Sequence, residues 1–194
     1  INTMTGNNIK DLYIDDDKRI WIANYPIGIS IRDERYFEYK WIKHSIGNQQ
    51  SLINDRVNAI MEDSEGDLWF ATSNGISLYY AKTNEWQYFL SSFTTSNKSR
   101  NNVFLSLCEV APGIIYAGGY SSNIYKIDKH RGHSEILNLE SFYEKLSLRQ
   151  DKYVRSIIKD TQKNIWIGGY YNLKRINLVT NIVQAYHKLN NITA

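Results

Sequence analysis

One pattern recurs four times along the chain, and it constrains the fold more than any other feature. Aligned without gaps over thirteen positions, it runs from Ile9 to Trp21 (IKDLYIDDDKRIW), Val57 to Trp69 (VNAIMEDSEGDLW), Phe104 to Tyr116 (FLSLCEVAPGIIY) and Val154 to Trp166 (VRSIIKDTQKNIW). The closing aromatics Trp21, Trp69, Tyr116 and Trp166 stand 48, 47 and 50 residues apart. In each copy an apolar pair three apart leads to a turn position, acidic at Asp15, Asp63 and Asp160 and replaced at Val110. A period of this size marks a repeat architecture in which each unit buries its apolar surface only against its neighbours.

Strand alternation puts Trp21, Ala23 and Tyr25 on one face and Ile20, Ile22 and Asn24 on the other. A second strand (Trp21 to Asn24, Trp69 to Thr72, Tyr116 to Gly119, Trp166 to Gly169) ends in small or polar residues. A third follows at Gly28 to Ile31, Gly75 to Leu78, Asn123 to Ile127 and Asn172 to Ile176. A fourth is expected near Tyr36 to Tyr39, Trp86 to Phe89, Ser134 to Leu137 and Ile182 to Tyr186. Four short antiparallel strands per repeat describe a blade of a β-propeller. The sequence therefore predicts an all-β chain of four four-stranded blades, over about 7–54, 55–101, 102–151 and 152–190. Long 3.6-residue amphipathic runs and asparagine ladders, which helical and leucine-rich repeats would show, are absent.

Composition agrees: of 194 residues 13% are aromatic and only 2 are proline, favouring strands joined by Asn and Gly turns. No apolar run approaches a membrane span. The net charge of +3 comes without a block of like charges, so nucleic acid is not an expected partner. The lone Cys108 is expected to be a small buried hydrophobe. The chain opens Ile1-Asn2-Thr3 with no initiating Met and no charged and apolar leader, so it is expected to be either processed or, as favoured, a piece cut from a larger protein.

The motif Val-x-x-Ile-x-x-Asp-x-x-Gly-x-Leu-Trp-Phe-Ala-Thr-x-x-Gly-Ile at Val57 to Ile76 resembles the two-component regulator propeller repeat, found in the periplasmic sensor regions of hybrid histidine kinases of Bacteroidetes. The units at Ile9 and Val154 match well; the unit at Phe104, with Val110, Tyr116 and an insertion around Leu139 to Lys152, matches weakly. The resemblance implies an extracytoplasmic, periplasmic sensor segment that recognises an oligosaccharide from glycan breakdown. It also implies that the other blades and the kinase lie outside this chain. Such a fragment leaves two apolar blade faces exposed, so self-association or an open arc is expected.

Propeller ligands lie where loops into the inner strand and turns after the second strand converge. Tyr25, Tyr120, Tyr170 and the adjacent Tyr171 occupy the latter, Ser73 taking the place in the second unit. A ring with a hydroxyl suits a sugar, although such tyrosines could equally pack between blades. The entering loops carry Arg56, Arg100, Asn102 and Lys152, donors that favour polyhydroxylated, carboxylate- or sulfate-bearing ligands unless Asp55 and Asp151 neutralise them. Asp15-Asp16-Asp17 lacks calcium-loop spacing and His130 and His133 lack partner ligands, so no metal and no cofactor is expected. Two other classes compete with sensing. One is a scaffold for protein–protein interaction. The other is an enzyme, disfavoured because Asp15, Asp63 and Asp160 lie at the far end from the channel mouth.

Overall fold

The computed structural model describes residues 6–33, 35, 38–89, 102–137, 139, 151–180 and 182–186. Among these residues sixteen strands form four antiparallel four-stranded sheets, each built from consecutive strands. Blade one is β1 (Ile9–Ile14), β2 (Ile20–Asn24), β3 (Gly28–Asp33) and β4 (Glu38–Ile42). Blade two is β5 (Val57–Glu62), β6 (Leu68–Thr72), β7 (Gly75–Tyr80) and β8 (Glu85–Phe89). Blade three is β9 (Phe104–Ala111), β10 (Ile114–Gly119), β11 (Ile124–Asp128) and β12 (His133–Leu137). Blade four is β13 (Ser156–Lys159), β14 (Asn164–Gly168), β15 (Leu173–Asn177) and β16 (Val183–Tyr186). The all-β propeller architecture expected from the repeat is therefore the observed one.

Each first hairpin turns the same way. The residue three after the repeat's turn position has positive φ in all four blades: Lys18 (66°), Gly66 (86°), Gly113 (72°) and Lys163 (63°). Two of the four are lysines, so the acidic residue that holds the turn, and not glycine alone, sustains this left-handed backbone. At the opposite end the backbones approach closely: a Cβ on Gly119 would lie 1.8 Å from the Val103 carbonyl oxygen. Only glycine fits there.

Three clusters hold the blades together. Trp21, Ala23, Ile29 and Ile31 of blade one meet Val57, Ile60, Leu68 and Phe70 of blade two. Trp69, Ala71, Ile76 and Leu78 of blade two meet Phe104, Ile115, Ala117 and Ile127 of blade three. Cys108, Val110 and Ile124 of blade three meet Val154, Ile157, Ile165 and Ile167 of blade four. Alternation thus gives each second strand one face for the blade before and one for the blade after. Cys108 is buried and unpaired, and burial pushes its thiol pKa up, as a small hydrophobe requires.

The first strands pack in series, β1 on β5, β5 on β9 and β9 on β13, so they line the inside of an arc. Among the described residues no cluster joins blade four back to blade one. Leu12 and Ile14 stay exposed on one outer face, and Ile158, Leu173 and Tyr186 on the other. Among the described residues the four blades follow one another as an arc.

One boundary is corrected. The fourth strand of blade one is Glu38–Ile42, not Tyr36 to Tyr39. Strand β3 continues to Asp33, and Ile42 pairs with Ile29 as Phe89 pairs with Ile76 in blade two. The inward apolar partner therefore decides the register, whereas the aromatic run had pointed upstream.

Candidate functional site

The turns after the second strands and the loops entering the first strands share one end of the arc. Backbone bonds tie them within blades, with Tyr25 N donating to Asn8 O (2.8 Å), Ser73 N to Arg56 O (2.9 Å) and Tyr120 N to Val103 O (2.9 Å). Further bonds cross between blades: Gly28 N to Asp55 O (2.8 Å), Gly75 N to Asn102 O (2.7 Å) and Val154 N to Gly119 O (2.8 Å). A rigid hydrogen-bonded rim thus presents the side chains singled out by the repeat.

Two aromatic and cationic groupings stand on that rim. At the boundary of blades one and two, the Arg56 guanidinium lies 5.9 Å and the Lys10 ammonium 5.2 Å from the Tyr25 ring centroid. At the boundary of blades three and four, Tyr120 contacts Tyr153 with centroids 5.0 Å apart, and Tyr170 meets Tyr171 edge-on at 4.8 Å. Arg155 bridges these pairs, its guanidinium 5.9 Å from the rings of both Tyr153 and Tyr170. Such spacings are those of cation–π contacts. Tyr120 is 44% and Tyr170 63% exposed, so both rings present a face to solvent, while Tyr120 also contacts Tyr153 of the next blade.

The neutralisation expected from the two loop aspartates does not occur. Asp151 is fully buried and accepts from Lys174 Nζ (2.9 Å), Tyr171 N (2.6 Å) and Asn172 Nδ2 (3.1 Å), turned away from Lys152. Burial alone would raise its pKa; those three donors outweigh it and hold the carboxyl below the usual range. Asp55 accepts from His44 N at 2.6 Å. Arg56, Lys152 and Arg155 are exposed and, among the described residues, form no ion pair. Asn102 is half-buried on the same rim, and Arg100 lies outside the described residues. Sequence reasoning passed over Lys10 and Arg155 because both sit at the edges of first strands, where alternation gives no reason to favour a cation.

The opposite end is stabilised differently. Trp21, Trp69 and Trp166 Nε1 donate to Asp15, Asp63 and Asp160 Oδ2 at 2.8, 2.8 and 2.9 Å. The other carboxylate oxygen of each accepts the backbone N–H four residues on, from Arg19 (2.9 Å), Asp67 (3.0 Å) and Asn164 (2.8 Å). These aspartates are fold elements with saturated oxygens, as their place in the repeat required.

The model of the family described as "Two component regulator propeller" matches residues 3–25, 51–74 and 147–171, leaving the third unit unmatched. No curated protein matches the chain. An extracellular domain described as that of a hybrid two component system, BT3049 from B. thetaiotaomicron, superposes with TM-score 0.77 at 21% identity, covering 95% of this chain and 24% of that one. A second such domain, BT4673 from the same organism, gives TM-score 0.69 at 20% identity, covering 94% and 25%. A structure described as U3-55K gives TM-score 0.67 at 13% identity, covering 92% and 51%, a likeness of fold alone. This chain spans about a quarter of the two extracellular domains. Three of the four repeats thus match that family model, and the blades share the fold of the two extracellular domains.

Proposed function

We propose that this chain of two component regulator propeller repeats is a ligand-sensing segment of an extracytoplasmic, periplasmic sensor. On this reading its tyrosine-bearing rim binds an oligosaccharide from glycan breakdown, and the signal passes to a kinase outside the chain. The observation that carries the reading is the pairing of tyrosines with cations that form no ion pair among the described residues: half-buried Tyr25 with Arg56, and exposed Tyr170 with Arg155, which also lies over Tyr153 beside exposed Tyr120. Rings offer faces to pyranose C–H bonds, while guanidinium groups bind carboxylate or sulfate through paired charge-assisted bonds. The rim accordingly suits a uronate-bearing or sulfated fragment better than a neutral one. Tyr171, Asn102, Lys152 and Arg100 complete the proposed set. Similarity to extracellular domains of two component systems supports the location, and among the described residues no helix is long and apolar enough to cross a membrane.

The open faces favour a partner as well. Ile158, Leu173 and Tyr186 on blade four repeat the pattern that blades one to three bury, so the remaining blades of a parent propeller, or a second copy, would cover them. A scaffold role without small-molecule sensing is the second reading. Thermal melts against neutral, uronate-bearing and sulfated oligosaccharides separate the two. A rise with the acidic classes, lost in Arg155→Gln and Tyr170→Ala, supports sensing at the rim. An unchanged melt with all three classes refutes a rim site in this chain.

A further inference from the structure

The three blade boundaries meet one recurring problem in three ways. The position held by Arg19 in blade one is Asp67 in blade two and Ile114 in blade three, and the facing position on the next blade is Ala81, Lys129 and Leu178. At the second boundary the Lys129 side chain, 2% exposed, reaches back to Asp63 (2.6 Å), Glu65 (2.8 Å) and Asp67 (2.6 Å). At the third boundary Val110 and Ile114 stand where Asp63 and Asp67 stand in blade two, and Leu178 packs on the cluster that contains Val110. At the first, Arg19 answers the charge from within its own blade, binding Asp15 at 2.7 Å and Asp17 at 3.3 Å. No long side chain from blade two is then needed, and Ala81 stands there.

What Lys129 fills at one boundary is therefore empty at the other. A cavity of about 620 Å³ opens between blades one and two, at the end away from the tyrosine rim. Its walls are apolar and aromatic, from Trp21, Ile42, Leu68 and Tyr79, and Arg19 and Lys40 line it as cations. Lys40 is exposed and, among the described residues, has no ion-pair partner. Asp33, the lining carboxylate, is engaged by Arg35 at 2.9 Å. The volume falls within the range of small-molecule sites.

We propose that this interblade cavity is a binding site for a small ring-bearing carboxylate, its ring between Trp21 and Tyr79 and its anionic group at Lys40. The charge balance selects the class, since among the described residues the cavity offers one cation without an ion-pair partner, Lys40, while its carboxylate, Asp33, is engaged by Arg35. This site is separate from the glycan rim and of different ligand chemistry. Occupancy would bridge β3 and β4 of blade one to β7 of blade two, fixing the two blades relative to one another.

The test uses phenylacetate, with phenylacetamide as its uncharged counterpart, followed by ligand-observed NMR and thermal melts of the chain. Phenylacetate should bind and raise the melting temperature, and Lys40→Gln should weaken it by about fivefold, the loss of one exposed ion pair. The double variant Arg19→Asp with Ala81→Lys rebuilds the arrangement around Lys129, with Asp15, Asp17 and the new carboxylate holding the introduced ammonium. It should keep a cooperative melt and lose binding. Ala81→Leu, at an exposed position, should also abolish binding without disturbing that charge network, should the double variant not fold. Absence of binding to the unmodified chain, equal affinity for phenylacetamide, or unchanged affinity in a folded cavity-filled variant would each overturn the proposal.

Discussion

Trp69 Nε1 donates to Asp63 Oδ2 at 2.8 Å, and this bond joins the two ends of the repeat's most recognisable stretch, the acidic turn and the closing aromatic. The indole is fully buried while stacked on Phe89, with centroids 5.5 Å apart. Asp63 would be costly to bury as a bare anion, but the indole, the Asp67 amide and Lys129 all donate to it. The same bond recurs at Asp15 with Trp21 and Asp160 with Trp166. Blade three loses both partners together, Val110 and Tyr116, which explains why the two departures coincide: neither residue is useful there without the other.

Trp69→Phe keeps a ring in the core and removes the donor, so it should destabilise by about 1.5–3 kcal/mol. Trp69→Ala removes the ring as well and should cost about 3–5 kcal/mol, abolishing a cooperative melt. Denaturant titration of both variants checks the order; an undiminished stability in Trp69→Phe would show that the bond to Asp63 contributes nothing.

Lys129→Met should destabilise by about 3–5 kcal/mol, since it leaves the buried Asp63 and the nearby Asp67 and Glu65 without their shared cation. Burial by itself would lower the lysine pKa; the three carboxylates outweigh it and raise the pKa above the usual lysine range. Lys126→Met, which removes the exposed pair with Glu135, should cost under about 1 kcal/mol. The contrast between the two lysines is measurable in a single set of melts.

The repeat aspartates set the acid limit of stability. The Trp166 indole, then the Asn164 side chain, hold Asp160 down to about 2, and Asp15 and Asp63 are lowered in the same direction by the donors that outweigh their burial. A folded-state pKa below the unfolded one stabilises the fold above the ordinary aspartate value, about 3.9, and that stability is lost as pH falls through the folded value. Melting temperature should therefore fall steeply between about pH 4 and about pH 2. In Asp160→Asn the fall should be shallower, as one titrating contribution is gone.

Tyr120→Ala with Tyr170→Ala should leave the melting temperature nearly unchanged, because both rings are exposed, and should remove affinity for any glycan that binds the rim. Retained affinity in the folded double variant would sink the rim site.

Ile158→Asp with Tyr186→Lys places charge on the uncovered face of blade four. Sedimentation should show less self-association than in the unmodified chain, and unchanged association would mean that this face is not the contact.

The repeat and its alternation were sufficient, from sequence alone, to determine the number of blades, their four strands, and which face of each second strand carries the anchoring aromatic. Short-range periodicity encodes these properties, because a strand two residues out of phase still presents the same face. The candidate rim was also legible at Tyr25, Tyr120 and Tyr170, which follow the anchor strands at a fixed distance. Only the tertiary structure decided which charges there remain free. Asp151 is one residue from Lys152 in sequence, yet it turns inward to Lys174, twenty-three positions away. Ala81 and Lys129 occupy equivalent places in successive blades, and nothing local distinguishes a cavity from an ion cluster. That depends on whether the facing blade presents Arg19 or Asp67, a contact made across the sheet boundary and therefore decided only when the blades pack.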